Sequence, residues 1–272
     1  YHENKHFVTK FYEVYEARIS TLEKWLYYSW GSEMYKLLVR KSEFEGNLSI
    51  VRALKLAKDY GANVLIADGF SIREAVILAN QFKNKVKKLD FGIAKPPTVT
   101  STALSKQLGE PSIAKLVEKG YITKIGKKWR IIHVDPSKLG CAVKASDTIF
   151  ITDLPDGALH RTITRRRKII SEDTIIGQLH KIIEKLSALQ PLIITGDHGY
   201  IYLNLSPSEY MWDRIITSSR YGDVKILEEV PPINVDNTLV AVGRCHLPSE
   251  RTLIIHGGIS FLESLVPILI LH

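Results

Sequence analysis

Cysteine is nearly absent from this chain. Its 272 residues hold only Cys141 and Cys245, with no Cys-x-x-Cys pair. A disulfide scaffold is therefore excluded, and two ordinary thiols in a reducing, cytoplasmic setting are expected. Long apolar runs are also missing, and the opening Tyr1-His2-Glu3-Asn4-Lys5 is no signal peptide, which argues against a membrane span or membrane partner. The first residue is not Met, so a fragment of a longer protein with a missing N-terminal domain is expected. Internal repeats and low-complexity segments are lacking too. Hydrophobic residues make up 45%, enough to build a sizeable core in one large α/β domain or two small ones. Positive charge is in excess: the net charge is +8. That favours an anionic partner such as phosphate or nucleic acid, although a Lys-rich soluble surface carries the same total.

The first 60 residues have helical periodicity. Phe7, Phe11, Val14, Tyr15, Ile19, Leu22, Trp25 and Leu26 form one apolar stripe, ended by Gly31. Further helices fit Glu33 to Arg40 and Leu48 to Tyr60, the latter stopped by Gly61. The aromatic stripe reads as packing, or as a docking face for a protein partner. Residues 61–272 switch to short apolar runs separated by helical patterns, the mark of an α/β domain.

Several of those runs end in groups that carry chemistry. Asn63-Val64-Leu65-Ile66-Ala67 ends at Asp68-Gly69. Ser71 and Glu74 then supply a capping box for the next helix, which leaves Asp68 without a capping task. Thr148 to Ile151 leads to Asp153 and Asp156, and His160 lies four residues past Asp156, one helical turn away. Leu192-Ile193-Ile194 precedes Thr195-Gly196-Asp197-His198-Gly199. Alone, that motif is equally a metal-ligand pair or a polar turn. A run from Thr252 to Ile255 ends at His256-Gly257-Gly258, and Ile259 to Val266 reads as a helix. Strand ends of this kind share one crevice in a parallel sheet, and together they hold the inventory for two divalent ions bridging a phosphoryl group.

A strand expected from Val86 to Gly92 is followed by Pro96-Pro97 and four hydroxyls, Thr98, Thr100, Ser101 and Thr102, at a helix start near Ser101. A hydroxyl there serves as an N-cap or as a nucleophile beside backbone donors that hold phosphate. Residues 121–134 read as a surface hairpin around Gly126-Lys127-Lys128, and Ser171 to Leu189 as an amphipathic helix with His180 on its surface. Residues 208–217 fit a short helix, Tyr221 to Val235 a looped hairpin, and Leu239 to Val242 a strand. The basic run Arg161 to Lys168, with Arg165 and Arg166 at its centre, lies close to the acidic and histidine groups and offers a track for a polyanion.

The pieces Val64-Leu-Ile-Ala-Asp68-Gly, Pro97-Thr-Val-Thr100, Asp156-Gly-Ala-Leu-His160, Thr195-Gly-Asp-His-Gly199 and His256-Gly-Gly-Ile-Ser260 come in one order over roughly residues 60–270. In that order they resemble the alkaline phosphatase superfamily and, within it, the PglZ family. The resemblance implies an alkaline-phosphatase-like α/β sandwich, a central mostly parallel sheet flanked by helices, with a helical extension over residues 1–60. It implies a Thr100 nucleophile, one metal held by Asp68, Thr100, Asp197 and His198, and a second held by Asp156, His160 and His256. The ligand set suits zinc, with manganese second. No Cys/Ser-x-Pro-x-Arg segment occurs, which disfavours a sulfatase. The expected activity is a two-metal phosphodiesterase or phosphatase on nucleotides or short oligonucleotides, with Arg161, Arg165 and Arg166 binding substrate. The competing expectation is a PglZ-type interaction module of a phage-defence or signalling assembly, with little turnover.

Overall fold

The computed structural model describes residues 14, 16–136, 146–164, 172–188, 191–202, 212–215, 219–222, 224, 232–246 and 254–272. Helices α1 (Glu16–Trp30), α2 (Glu33–Glu43) and α3 (Ser49–Tyr60) come first. Gly61, at φ 61°, closes α3 in the left-handed conformation that glycine adopts without penalty. Then follow β1 (Asn63–Ala67), α4 (Ile72–Gln81), β2 (Val86–Ile93), α5 (Thr100–Leu108), α6 (Ile113–Lys119), β3 (Tyr121–Lys124), β4 (Lys127–His133) and β5 (Thr148–Thr152). The second half runs α7 (Asp156–Thr164), α8 (Glu172–Ser187), β6 (Leu192–Gly196), β7 (Ile201–Tyr202), β8 (Trp212–Ile215), β9 (Ile233–Val235), β10 (Thr238–Val240), β11 (Cys245–His246), β12 (Ile254–Ile255), α9 (Phe261–Ser264) and β13 (Leu265–Leu271).

Seven strands make one sheet in the order β2-β13-β6-β1-β5-β4-β3. Five run the same way, and only β13 and β3 oppose them. The period of two along each strand sorts its side chains into two cores. Leu65, Phe150, Ile194 and Leu269 face α4 and α8, while Val64, Ile66, Ile151, Ile193 and Ile270 face α3, α5 and α6. Both faces are covered, so the central strands read as unbroken apolar runs. The result is the mixed α/β sandwich that the sequence leads one to expect.

Helix α3 belongs to that sandwich: Ile50, Ala53, Leu54 and Ala57 pack on the sheet, and Ser49 Oγ donates to Gly196 O at 2.9 Å. Helix α1 docks on α9 through Glu23. Burial pushes its carboxyl up to about 8, and its Oε1 accepts from Phe261 N at 3.1 Å. The chain from 1 to 60 is thus continuous with the α/β body wherever it is described. Phe7 and Phe11 of the apolar stripe, and Cys141, lie outside the described residues.

Four expectations change. The described part of 208–217 is strand, not helix: Trp212–Ile215 pairs with Cys245–His246, and a partner strand overrides local periodicity. The hairpin begins only at the end of 221–235 and runs on to Val240. It joins β9 to β10 across Asp236 and Asn237, both at positive φ, 48° and 64°, the geometry of a two-residue hairpin turn. The helix expected over Ile259–Val266 shrinks to α9, and β13 takes the rest. Pro267 fits within that strand because it sits opposite Phe91 of β2 but one residue beyond the β6 ladder, which starts at Ile268. Finally, β12, which leads to His256, pairs with β7 in a small two-stranded sheet and is not one of the parallel strands of the main sheet.

Leu269 is fully buried at the heart of β13. Leu269→Ala should lower unfolding stability by about 2–5 kcal/mol, read as a shifted midpoint in urea; an unshifted midpoint would show β13 to be peripheral.

Candidate metal centre

Four parallel strands deliver side chains to one end of the sheet. Asp68 follows β1, and its backbone is fixed on both sides: Asp68 N donates to Thr152 O, and Asp156 N donates to Asp68 O, each at 3.0 Å. Asp156 opens α7, and Asp197-His198 follow β6. The loop after β2 carries Thr100 to the first position of α5. His256 arrives from outside the main sheet, directly after β12.

Asp68, Asp197 and His198 form one cluster. Asp197 Oδ1 accepts from Gly69 N at 3.0 Å and His198 N at 2.9 Å, whereas its Oδ2 is buried with no hydrogen-bond partner. His198 Nδ1 lies 3.0 Å from Gly199 O. A carbonyl only accepts, so Nδ1 carries the proton and Nε2 presents a lone pair. That nitrogen is 3.7 Å from both Asp68 Oδ1 and Asp197 Oδ2. Thr100 Oγ1 joins the cluster, donating to Asp68 Oδ1 at 3.0 Å and lying 3.2 Å from His198 Nε2.

Asp156, His160 and His256 form the other cluster. His256 Nδ1 lies 3.3 Å from Thr98 O, which again leaves Nε2 as the free lone pair. That atom faces His160 Nε2 at 3.1 Å. Asp156 Oδ1 is 3.4 Å from His160 Nε2 and 3.7 Å from His256 Nε2, yet makes no hydrogen bond. The clusters adjoin: the His198 and His256 rings stack with centroids 4.5 Å apart.

Electrostatics follows from this crowding. Burial pushes the Asp68 carboxyl well above the usual range, and Asp197 and Asp156 push it further. Burial also works against an Asp156 carboxylate, but His160, with His256 and His198, holds it at about 2. Asp156 in turn raises His160. Burial, then His198, lowers His256 to about 4.

Imidazole nitrogens crowded together and buried carboxylate oxygens without hydrogen bonds are what a cation would satisfy. The six Asp and His residues fit two divalent ions, each with carboxylate and imidazole donors and no thiolate, as zinc or manganese accepts.

Other sequence candidates go elsewhere. Asp153 is paired with His133 Nε2 at 3.2 Å and belongs to neither cluster. Thr98 is buried and committed: it donates to Gly258 O at 2.8 Å and accepts from Gly257 N at 3.1 Å. Lys127 and Lys128 begin β4, at the amino end of the parallel strands and away from the cluster end. Trp129 is wholly buried in the core. His180 is not a free surface residue but stacks on Phe82, centroids 4.5 Å apart. Arg165 and Arg166 lie outside the described residues, as does the side chain of Arg161. Arg220 and Glu263, which brace the His256 loop, carry no motif; a buried bidentate pair between distant residues leaves no local signal.

No protein-family model matches the chain, and no curated protein matches it in sequence. Among solved structures it is similar to phosphonoacetate hydrolase from Sinorhizobium meliloti 1021 in complex with phosphonoformate, at a TM-score of 0.43 and 10% identity over 78% of this chain and 89% of that one. It is also similar to murine ectonucleotide pyrophosphatase/phosphodiesterase 5 in complex with AMP, at a TM-score of 0.42 and 11% identity over 78% of this chain and 88% of that one.

Proposed function

We propose that this chain is a metal-dependent phosphoester hydrolase of the alkaline phosphatase type and, by its motif order, of the PglZ family. Thr100 is the nucleophile and two divalent ions, zinc in the first instance, are its cofactors. The observation that carries this reading is the position of Thr100 Oγ1, 3.0 Å from Asp68 Oδ1 and 3.2 Å from His198 Nε2, at the edge of two adjoining ligand clusters. A hydroxyl placed among carboxylate and imidazole donors, with a second cluster beyond, suits attack on phosphorus.

Asp68, Asp197 and His198 would hold one ion with Thr100, and Asp156, His160 and His256 the other. Bound there, the ions supply Lewis acidity that lowers the hydroxyl pKa and offsets phosphoryl charge. The chain does the rest. Asp68 Oδ1 holds the Thr100 hydroxyl by its hydrogen bond and so orients the oxygen for attack, and the hydroxyl proton ends on the departing alcohol. The Thr100 oxygen bonds to phosphorus while the ester's alcohol leaves, and water then cleaves the phosphothreonine. Helix α5 has no side-chain N-cap bond from Val99, whereas Ser71, Ser112 and Ser260 cap α4, α6 and α9. The amide N–H groups of Ser101 and Thr102 are therefore free to hold phosphoryl oxygens.

The substrates we assign are phosphodiesters of nucleotides or short oligonucleotides. The net charge of +8 supports them, as does the run from Arg161 through Arg165 and Arg166 that continues from the helix bearing His160. Turnover of diester and monoester substrates by zinc- or manganese-loaded protein tests this; a fully loaded protein inert on all of them would overturn it.

Thr100→Ala should keep its metal and lose turnover by about 10²-fold or more; near wild-type rates would reject the nucleophile. Asp197→Ala should lose far more metal than Asp153→Ala on elemental analysis, and equal losses would move the ligand assignment. Zinc affinity should fall on acidification, because His160 and Asp68 both hold protons more tightly than usual and must release them to bind metal. The expected slope is about tenfold per pH unit for each proton displaced, starting above the ordinary histidine value near 6.5. A flat profile in calorimetric titration would contradict it.

A further inference from the structure

The two clusters face each other only if three loops keep their spacing, and one short segment touches all three. Ala94 N, at the head of the Thr100 loop, donates to Ser264 O at 2.8 Å, and Gly199 N, next to His198, donates to Glu263 O at 3.0 Å. Gly258 N, two residues past His256, donates to Glu263 Oε1 at 2.8 Å. Glu263 therefore binds the His198 loop through its backbone and the His256 loop through its side chain.

Glu263 is fully buried and is a member of neither ligand cluster. Arg220, also buried, grips it with Nε on Oε1 at 2.9 Å and Nη2 on Oε2 at 2.6 Å, and Nη2 reaches Gly243 O at 2.7 Å. A desolvated two-pronged pair of this kind fixes geometry as well as charge. The packing leaves no slack. A Cβ at Gly258 would stand 2.1 Å from Arg220 Nη2, and one at Gly199 would stand 2.0 Å from Leu262 O.

We propose that Glu263, gripped by Arg220, is a positioning residue that sets the place of His256 relative to His198 and thereby controls loading of the Asp156–His160–His256 cluster. This rests on reading both clusters as metal sites. A general brace for the fold would act on both clusters alike. Of the three loops, the Glu263 side chain bonds the His256 loop alone among the described residues, so disturbing it acts on one cluster.

The test is calorimetric zinc titration of chelator-stripped protein, with thermal melting of the same metal-free samples. Wild-type protein should bind two zinc ions. Gly258→Ala keeps every charge and pushes the His256 loop off Arg220; it should weaken one ion by about 10–100-fold and spare the other, melting lower than wild type but above the temperature of the titration. Glu263→Gln keeps an acceptor for Gly258 N and removes the charge pair, and it should weaken the same ion; if it does not fold, Gly258→Ala decides alone. Gly199→Ala is the mirror, expected to weaken the ion of the Asp68–Asp197–His198 cluster instead. Two wild-type affinities in Gly258→Ala would overturn the proposal. Equal weakening of both ions with a lower metal-free melting temperature would also overturn it, since the pair would then merely hold the fold. Wild-type protein that binds no zinc would sink the metal reading itself, and this proposal with it, before any variant is made.

Discussion

Carboxylates do not gather in a dry crevice without a reason. Asp68, Asp156 and Asp197 come together at one end of the sheet, with Asp156 and Asp197 almost wholly buried, where their mutual repulsion is poorly screened. The strain shows in the opposite fates of neighbours: Asp68 is pushed up while Asp156 is pulled down by imidazoles. Positive charge placed between them would relieve Asp68 and add to the imidazoles that already hold Asp156. The rest of the molecule can be understood as the frame that keeps this unfavourable assembly from relaxing apart.

That frame is backbone first. The ladder of β6, β1 and β5 fixes the roots of Asp68, Asp156 and Asp197, and the Asp68 and Asp156 backbones are bonded to each other. The buried faces above and below are aliphatic, so the strands cannot slip by one residue without turning an apolar row into the wrong layer. The imidazoles are set by a second device, the carbonyls of Gly199 and Thr98, which choose the tautomer of His198 and His256.

Much of this was legible in the sequence, for a local reason. Buried strands announce themselves as short apolar runs, and the residue after each is forced to the same edge, so Asp68, Asp197 and the Asp156–His160 spacing could be read off one line at a time. The capping box of Ser71 and Glu74 was equally local and is present. What failed was non-local. Strand β13 contains a proline and begins just after a helical turn, and only its two partners make it a strand. The Asp236-Asn237 turn lies just past the range 221–235 in which a hairpin is expected, and only the pairing of β9 with β10 locates it. Among the hydroxyls, chemistry alone left four candidates; Thr98 is spent on Gly257 and Gly258, a contact across 160 positions that no pattern reveals.

The place of β13 in the sheet has a consequence for how the molecule assembles. Strand β2, which leads to the Thr100 loop, has β13 as its only neighbour in the sheet. It cannot join the β-layer until the strand beginning at Leu265 is in place. Closing so long a loop is slow, because its entropy is lost before any contact rewards it. The β1–β5 and β1–β6 pairings span shorter stretches of chain and can form beforehand. During synthesis the acidic crevice would then exist before Thr100 is brought to its edge.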